Sequence, residues 1–157
     1  GLDLREVNLH QLTKGVLDAL REMADKKKVQ LKNSVPEDLT LRADSQRLFQ
    51  ALNNLVENGI KYGGECVCIS AGETDGELDL CVTDDGPGIP AEVCDRIFER
   101  FFRVDKARSR EMGGTGLGLS IVKHITQLHG GTARVESQLG EGASFHLTFP
   151  TAGVEAT

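Results

Sequence analysis

Three polar side chains occur at a spacing that would suit a cation bound to phosphate. Asn54, Asn58 and Lys61 stand four and then three residues apart in a segment of helical periodicity, so they fall within one narrow arc of a helix. An asparagine oxygen is a hard ligand of the kind that Mg²⁺ accepts, and a lysine supplies a positive point charge to a phosphate. The same row is also a common polar border of an amphipathic helix, so the row alone does not decide between these interpretations.

A carboxylate and two glycines follow in "VTDDGPGI". Asp84 ends a strand pattern whose alternate apolar residues, over 78–82, face the core, so a period of two places its carboxylate on the core-facing row, where it needs a partner. Because an ionised carboxylate only accepts hydrogen bonds, Asp84 could accept one from the exocyclic amine of adenine, whereas guanine has a carbonyl oxygen there. Gly86 and Gly88 would let the backbone approach a flat ring closely, although an ordinary Asp–Gly turn also explains them.

A glycine-rich segment precedes an apolar helix pattern in "GGTGLGLSIVKH", from Gly113 to His124. Gly114 and Gly116 can aim backbone N–H groups inward, and the start of the helix adds a partial positive charge, so together they would form a phosphate cradle. A glycine-rich helix entry without a ligand is the alternative. The spacing matches neither the P-loop nor the dinucleotide-binding fingerprint, and the H-R-D and D-F-G motifs of protein kinases are absent from the sequence.

Composition narrows the class of protein. The chain has 157 residues, a net charge of −6 and 39% hydrophobic residues, which is typical of one globular domain and argues against a nucleic-acid ligand. The segment from Arg96 to Arg110 is locally positive, with six basic and two acidic residues. It is interpreted either as a solvated loop or as a contact for a small anion. No apolar run approaches the roughly 18 residues of a membrane span. Cys66 and Cys68 share one strand face, so the cysteines are expected to be free thiols.

The elements that must position these groups form a two-layer α/β sandwich. Helices are predicted after two N-cap candidates, Asn8 and Asp44, and over about Thr115–Leu128, where Gly130–Gly131 ends the last of them. A short helix is predicted near Ala91–Phe98. Strands are predicted near Val29–Leu31 and Leu39–Leu41, over "CVCISA" and "ELDLCVTD", and in a closing hairpin, "TARVESQLGEGASFHLTFP".

These motifs, in this order, resemble those of the ATP-binding catalytic domain of bacterial sensor histidine kinases. "NNLVENGIKY" resembles the N box of that family, "DDGPGI" its first glycine box, "IFERFF" its F box and "GGTGLGLSIVK" its second glycine box. The likeness extends from about Leu4 to Pro150, and "FFRVDKARSR" further resembles kinases of the phosphate-regulon type. The family's fold, the Bergerat ATP-binding fold, implies a mixed sheet of about five strands covered by three helices. It also implies one catalytic domain over residues 1–157, with an ordered core over about 4–150 and no dimerisation domain.

The resemblance implies roles for individual residues. Asn58 would ligate Mg²⁺ with help from Asn54, Asp84 would bind adenine, and an ATP lid would extend over about 101–113. The implied catalytic residues are Asn54, Lys61 and Arg103. The implied nucleotide-binding residues are Asn54, Asn58, Lys61, Tyr62, Asp84, Gly86, Gly88, Ile89, Arg103, Gly114, Thr115, Gly116, Leu117 and Gly118. The implied packing anchors of the lid are Phe98 and Phe101.

The activity that the resemblance implies is transfer of the γ-phosphoryl group of Mg-ATP to a histidine on a separate dimerisation domain of the parent kinase. None of the four histidines of this chain is followed by an acidic residue, as the family's phosphoacceptor is, so the acceptor is expected elsewhere. The implied partners are that domain and the receiver domain of a response regulator, with no nucleic acid and no direct membrane contact. The implied location is cytoplasmic, in a membrane-anchored parent.

Three related functions remain open. ATPases of the gyrase, Hsp90 and MutL type use a glutamate, four residues before the metal-binding asparagine, to activate water, and here Asn54 holds that position. Asn54 is a poor base, and Glu57 is expected to point toward solvent, where it would pair with Lys61. A second alternative is a degenerate module that binds nucleotide and serves only as an interaction domain. A third is an anti-sigma kinase that modifies serine, which the extended basic lid disfavours.

Overall fold

The computed structural model describes residues 1–102 and 118–151. The first helix, α1 (Leu9–Lys27), begins at the predicted cap, where the Asn8 side chain accepts a hydrogen bond of 2.9 Å from the Gln11 N–H. The helix ends at Lys28, which adopts the left-handed conformation with φ 59°. Its buried stripe consists of Leu9, Thr13, Val16, Leu17, Leu20 and Ala24.

The second helix, α2 (Ser45–Tyr62), begins at the other predicted cap. The Asp44 side chain accepts a hydrogen bond of 3.2 Å from the Arg47 N–H. The third helix described, α3 (Gly118–Leu128), is followed by Gly130, whose φ of +76° ends the helix as predicted. Helix α2 contacts both α1 and α3 and therefore lies between them.

The strands form one large sheet and one small one. Numbered along the chain, they are β1 (Arg5–Asn8), β2 (Gln30–Ser34), β3 (Thr40–Ala43), β4 (Cys66–Thr74), β5 (Glu77–Asp84), β6 (Thr132–Ser137) and β7 (Ala143–Pro150). The large sheet has the order β2-β4-β5-β7-β6, in which β2 is parallel to β4 and the other neighbours are antiparallel. Over the described ranges, this confirms the predicted mixed sheet of five strands with three helices.

The core lies between the large sheet and the helices. Leu78, Leu80 and Val82 of β5 are 0–3% exposed, which confirms the period-two pattern that leads to Asp84. All four cysteines are free thiols, as expected. In the part of the chain that the structure describes, no helix combines the length and the apolar character needed to cross a bilayer.

The structure departs from the predicted elements in two places. Strand β1 was not predicted, and it pairs antiparallel with β3 in a separate two-stranded sheet. The predicted helix over Ala91–Phe98 is wrong, because only a single 3₁₀ turn forms, at Ala91–Val93. Ile97 and Phe98 are nevertheless buried. The segment is therefore a loop with buried apolar side chains. The first three residues of the helix predicted from Thr115 lie outside the described ranges.

Candidate nucleotide-binding site

The second half of α2 lies between two other predicted parts of the site. The Asn54 side-chain amide donates from Nδ2 to the Gly118 carbonyl oxygen at 3.4 Å, so the polar row begins beside the start of α3. At the other end, Gly63 follows α2 and contacts the last residue of β5. A Cβ added at Gly63 would lie 3.0 Å from the Cβ of Asp84. The fold thus connects the N box to Gly118 on one side and to Asp84 on the other.

The two asparagines of the row differ in their hydrogen bonds. Both side chains are half-buried, yet the Asn58 side-chain amide makes no hydrogen bond to any residue within 1–102 or 118–151, whereas the Asn54 side-chain amide donates to the Gly118 carbonyl oxygen. Gly59, the next residue, packs so tightly on β4 that an added Cβ would lie 2.9 Å from Val67 Cγ2. The Asn58 amide oxygen therefore belongs to a firmly seated helix and is available as a ligand.

Lys61 forms the predicted ion pair with Glu57, with 3.0 Å between Nζ and Oε1. Only 22% of the Lys61 side chain and 31% of the Glu57 side chain is exposed, so the pair is more buried than an ordinary surface pair. The pair lies at a half-buried edge of α2, beside Tyr62, which is half-buried and ends the helix. A phosphate near Lys61 would therefore share this ammonium group with a carboxylate.

Asp84 carries a half-buried carboxylate at the end of β5. Its Oδ1 accepts a hydrogen bond of 2.9 Å from the Gly86 N–H, within its own loop. Burial raises the pKa of Asp84, and this effect outweighs the opposing effect of the Gly86 N–H. A carboxylate whose charge is disfavoured in this way gains from each further donor, such as the amine of a bound base.

Gly86 and Gly88 are required by contacts between backbone segments. A Cβ added at Gly86 would lie 2.5 Å from the Gly63 Cα, so the loop after β5 touches the turn after α2. Gly88 has φ +80° and abuts the turn between β6 and β7. The Ile89 N–H donates to Ser137 Oγ at 2.7 Å. These contacts hold the loop after Asp84 between α2 and the last hairpin. The close approach of the backbones explains why glycine is needed at both positions, and the sequence pattern did not suggest this reason.

Asp85 is a functional candidate that the sequence reasoning missed. Its Oδ1 accepts hydrogen bonds from the backbone N–H groups of Glu65 and Cys66, at 2.8 and 2.9 Å. The Cys66 N–H is the main reason that the pKa of Asp85 is lowered. The motif "DDG" shows two carboxylates in a row, but the partners of the second lie about twenty positions earlier, so no local signal identifies them.

The aromatic residues of the F box have different environments. Phe98 is buried, and its ring meets that of Phe145 edge-on with centroids 6.2 Å apart, so it packs in the core. Phe101 is 61% exposed and has φ +66°. Its ring lies 5.3 Å from the guanidinium carbon of Arg100, a cation–π contact at the surface. Most of the lid that both rings are predicted to anchor lies outside the described residues, so that role stays a prediction.

Part of the predicted site falls outside the described residues. This holds for most of the lid predicted over 101–113 and for the five site residues Arg103, Gly114, Thr115, Gly116 and Leu117. Gly118, the last residue of the predicted cradle, is described and begins α3. Its carbonyl contact with Asn54 joins the second glycine box to the N box.

Comparison with known proteins gives concordant matches. A family model described as "Histidine kinase-, DNA gyrase B-, and HSP90-like ATPase" matches residues 43–153. Among curated proteins, the sensor-like histidine kinase SenX3 of Mycolicibacterium smegmatis is 41% identical over 150 residues. The match covers 94% of this chain and 39% of that protein, so the chain spans about two fifths of the length of this relative.

Solved structures with the same fold include two histidine kinases. The catalytic domain of ThkA, in a nucleotide-free form, is 32% identical with a TM-score of 0.82, covering 96% of this chain and 97% of that chain. Full-length ShkA in complex with AMPPNP is 32% identical with a TM-score of 0.81, covering 97% of this chain and 32% of that one. ThkA has also been solved in complex with the response regulator protein TrrA, at 30% identity and a TM-score of 0.77, covering 95% of this chain and 42% of that one.

Proposed function

We propose that the chain is a phosphotransferase. It belongs to the family of histidine kinase-, DNA gyrase B- and HSP90-like ATPases, and it is a catalytic domain of the bacterial sensor histidine kinase type with the Bergerat fold. The chain binds Mg-ATP and transfers the γ-phosphoryl group to a histidine of another domain. The observation that carries this proposal is that a half-buried carboxylate, Asp84, lies beside the end of α2, the helix that carries Asn58. Among the described residues, the Asn58 side-chain amide has no hydrogen-bond partner. AMPPNP bound to the similar kinase ShkA supports the choice of nucleotide.

The base would be bound by Asp84. Because Oδ1 is occupied by the Gly86 N–H, the exocyclic amine of adenine would donate to the carboxylate from the pocket side. Guanine would present a carbonyl oxygen there and be repelled. Gly86, Gly88 and Ile89 would shape the loop around the base, and Tyr62 would line the ribose side.

The donor set fits a magnesium ion whose coordination the nucleotide completes. The Asn58 oxygen would be the main protein ligand, with Asn54 close to the phosphates. Within residues 1–102 and 118–151, no group of three or more His, Cys, Asp or Glu side chains could hold a metal, so an all-protein cage is not offered there. When bound, the cation would neutralise charge on the phosphate oxygens.

Phosphoryl transfer requires chiefly positioning and charge stabilisation. Lys61 would place its ammonium group near the phosphates, and Arg103 would add a second positive charge from the lid. The N–H groups of Gly114, Gly116 and Gly118 would surround the phosphates, with Thr115 and Leu117 between them. The attacking group, a neutral imidazole of the partner domain, is nucleophilic near pH 7 without a strong base.

The chain is proposed to be one domain of a longer kinase. Its partners would be the histidine-bearing dimerisation domain of the parent and the receiver domain of a response regulator. The ThkA–TrrA complex supports the second partner. The domain would act on the cytoplasmic side of the membrane, and the phosphate-regulon subtype stays a prediction.

The described contacts disfavour a hydrolase. The position of the water-activating glutamate is occupied by Asn54, whose amide donates to the Gly118 carbonyl. The nearby carboxylate, Glu57, is held by Lys61 at 3.0 Å and would have to break that pair to act as a base. Phosphate release by the isolated chain should therefore be very slow.

The direct test combines the chain with γ-labelled ATP, Mg²⁺ and the dimerisation domain of the parent kinase. We expect an acid-labile phosphohistidine on the partner domain. Asn58→Ala should slow transfer by about a hundredfold or more while the fold persists. Asn53→Ala, on the same helix outside the polar arc, is the matched control and should transfer normally. ATP binding without transfer would instead indicate a degenerate module, and rapid release of phosphate would indicate an ATPase.

A further inference from the structure

We propose that Asp85 is a positioning residue for adenine recognition: it fixes the loop that carries Asp84 against the turn that follows α2. The inference rests on the proposed function, in which Asp84 binds the base. Asp85 itself is exposed and would not touch the nucleotide. Its effect on adenine binding would come from the position in which it holds Asp84.

The contacts of Asp85 join the ends of three elements. Strands β4 and β5 are paired up to Val67 and Asp84, and the ladder stops there. The next two N–H groups along the β4 side, those of Glu65 and Cys66, donate to Asp85 Oδ1 at 2.8 and 2.9 Å. The side chain of Asp85 thus continues the pairing beyond the ladder and closes the gap between the end of β5 and the chain that leaves α2.

The glycines of the turn show how closely the two segments meet. A Cβ added at Gly64 would lie 2.6 Å from Asp85 Oδ1 and 2.7 Å from the Asp85 carbonyl oxygen. A Cβ added at Gly86 would lie 2.5 Å from the Gly63 Cα. The two segments touch through their backbones, so a shift of one segment must move the other.

The hydrogen bonds of Asp85 to Glu65 and Cys66 matter for specificity because Asp84 is the last residue of β5 and directly precedes Asp85. The Asp84 carboxylate lies beside the end of α2, where Lys61 and Tyr62 are located. A base-binding carboxylate must lie at a fixed distance from the groups that hold the phosphates, since one nucleotide spans both. The geometry therefore assigns to Asp85 the task of setting that distance.

The charge of Asp85 suits the role. Two backbone N–H groups directed at one oxygen stabilise the ionised form, which is why the pKa of Asp85 is lowered, whereas burial raises that of Asp84. The adjacent carboxylates therefore have separate functions. The hydrogen bonds of Asp85 lie within the protein, and Asp84 remains able to accept one from a ligand.

The test measures the affinities of the full chain for ATP and for ITP, which has a carbonyl oxygen in place of the amine. Asp85→Ala should weaken ATP binding about tenfold and lower the preference for ATP over ITP about fivefold, because Asp84 loses its fixed position. Asp85→Asn is the matched control. Its amide oxygen can still accept both N–H groups, so it should keep the preference within about twofold of the parent chain.

A second variant, Gly64→Ala, tests the proposal without replacing Asp85. Gly64→Ala retains Asp85 but introduces a Cβ against its Oδ1, so it should lower the same preference. All affinities are measured well below the unfolding midpoint of each variant. Lower stability with an unchanged preference in Asp85→Ala and Gly64→Ala would mean that Asp85 is merely structural and would overturn the proposal. An equal loss in Asp85→Asn would also overturn it.

The Asp84→Asn variant distinguishes a failure of the positioning role of Asp85 from a failure of the proposed binding of adenine by Asp84. If Asp84→Asn abolishes the preference and Asp85→Ala does not change it, the positioning role fails alone. If Asp84→Asn leaves the preference intact, the assignment of the base to Asp84 fails, and the role of Asp85 fails with it.

Discussion

The two ends of helix α2 are built differently. At the amino end, Asp44 accepts hydrogen bonds from the N–H groups of Asp3 and Arg47, at 3.1 and 3.2 Å. The Asp44 N–H donates to His129 Nε2 at 3.0 Å, and His129 Nδ1 lies 2.8 Å from the Ile125 carbonyl oxygen. Because Nε2 accepts, Nδ1 carries the proton and donates, so the junction is satisfied by the protein itself.

The carboxyl end of α2 is less completely satisfied by the described residues. The Asn58 side-chain amide has no hydrogen-bond partner within the described ranges, and burial raises the pKa of the Asp84 carboxyl. The amino end therefore joins the helix to the scaffold, whereas the carboxyl end is where we propose that the nucleotide binds. Substitutions at the amino end should therefore change stability, and those at the carboxyl end should change binding.

The largest effect should come from Asp84→Asn, which we expect to weaken ATP binding about a hundredfold. The Gly86 N–H fixes which atom of the side chain is the acceptor, so the new NH₂ group would face the donating amine of adenine. Calorimetric titration measures this loss. The matched control is Asp79→Asn, on the same strand. Asp79 pairs with His146, with 2.9 Å between Oδ2 and Nδ1. This pair lies outside the proposed nucleotide site, so the variant should bind ATP normally.

The pH dependence of stability should have opposite signs at the two neighbouring carboxylates. The folded-state pKa of Asp84 is raised above 3.8, so its ionisation costs stability as pH rises through the raised value. The free energy of unfolding of Asp84→Asn, relative to the parent chain, should therefore increase as pH rises above 3.8. The pKa of Asp85 is lowered, so the stability it contributes is present above 3.8 and is lost as pH falls through the lower folded value.

Denaturant titrations of the two Asn variants across the acid range check this prediction. Asp85→Asn should be less stable than the parent chain near neutral pH, and the gap should close on acidification. Parallel pH profiles for the two variants would show that the neighbouring carboxylates do not have distinct roles.

At the amino end of α2, His129→Leu should lower the free energy of unfolding by about 1–2 kcal/mol, because the Asp44 N–H loses its acceptor. ATP affinity, measured where the variant is fully folded, should not change. If His129→Leu lowered the affinity for ATP without lowering the stability, the amino end of α2 would have a role in binding, which would contradict the roles assigned to the two ends.

The smallest effect should come from Glu57→Gln. The Glu57 carboxylate shares Lys61 and adds negative charge near the proposed phosphates, so its neutralisation should strengthen ATP binding about threefold. The gain should shrink at high salt, where charge interactions are screened. Weaker binding would instead show that Glu57 is needed to orient Lys61.

The parts of the fold that the sequence predicts are those with local causes. The caps at Asn8 and Asp44 depend on residues three positions away, and the alternation that leads to Asp84 depends on one strand. Strand β1 escaped prediction because four residues, "REVN", become a strand only through pairing with β3. The helix predicted near residues 91–98 failed because the burial of Ile97 and Phe98 in a loop depends on the rest of the fold.

The same division holds in the site. The spacing of Asn54, Asn58 and Lys61 could be read from helical geometry, since all three lie on one element. Asp85 could not be found in this way, because its partners lie on another strand. The exposure of Phe101 likewise depends on what covers it in the fold, which residue type alone does not reveal.

A crystal structure of the chain with AMPPNP and Mg²⁺ would be the sharpest test of the proposed site. We expect the exocyclic amine of adenine within hydrogen-bond distance of Asp84, and the Asn58 oxygen within about 2.1 Å of the cation. A nucleotide bound with its base remote from Asp84, or a cation held without Asn58, would contradict this expectation.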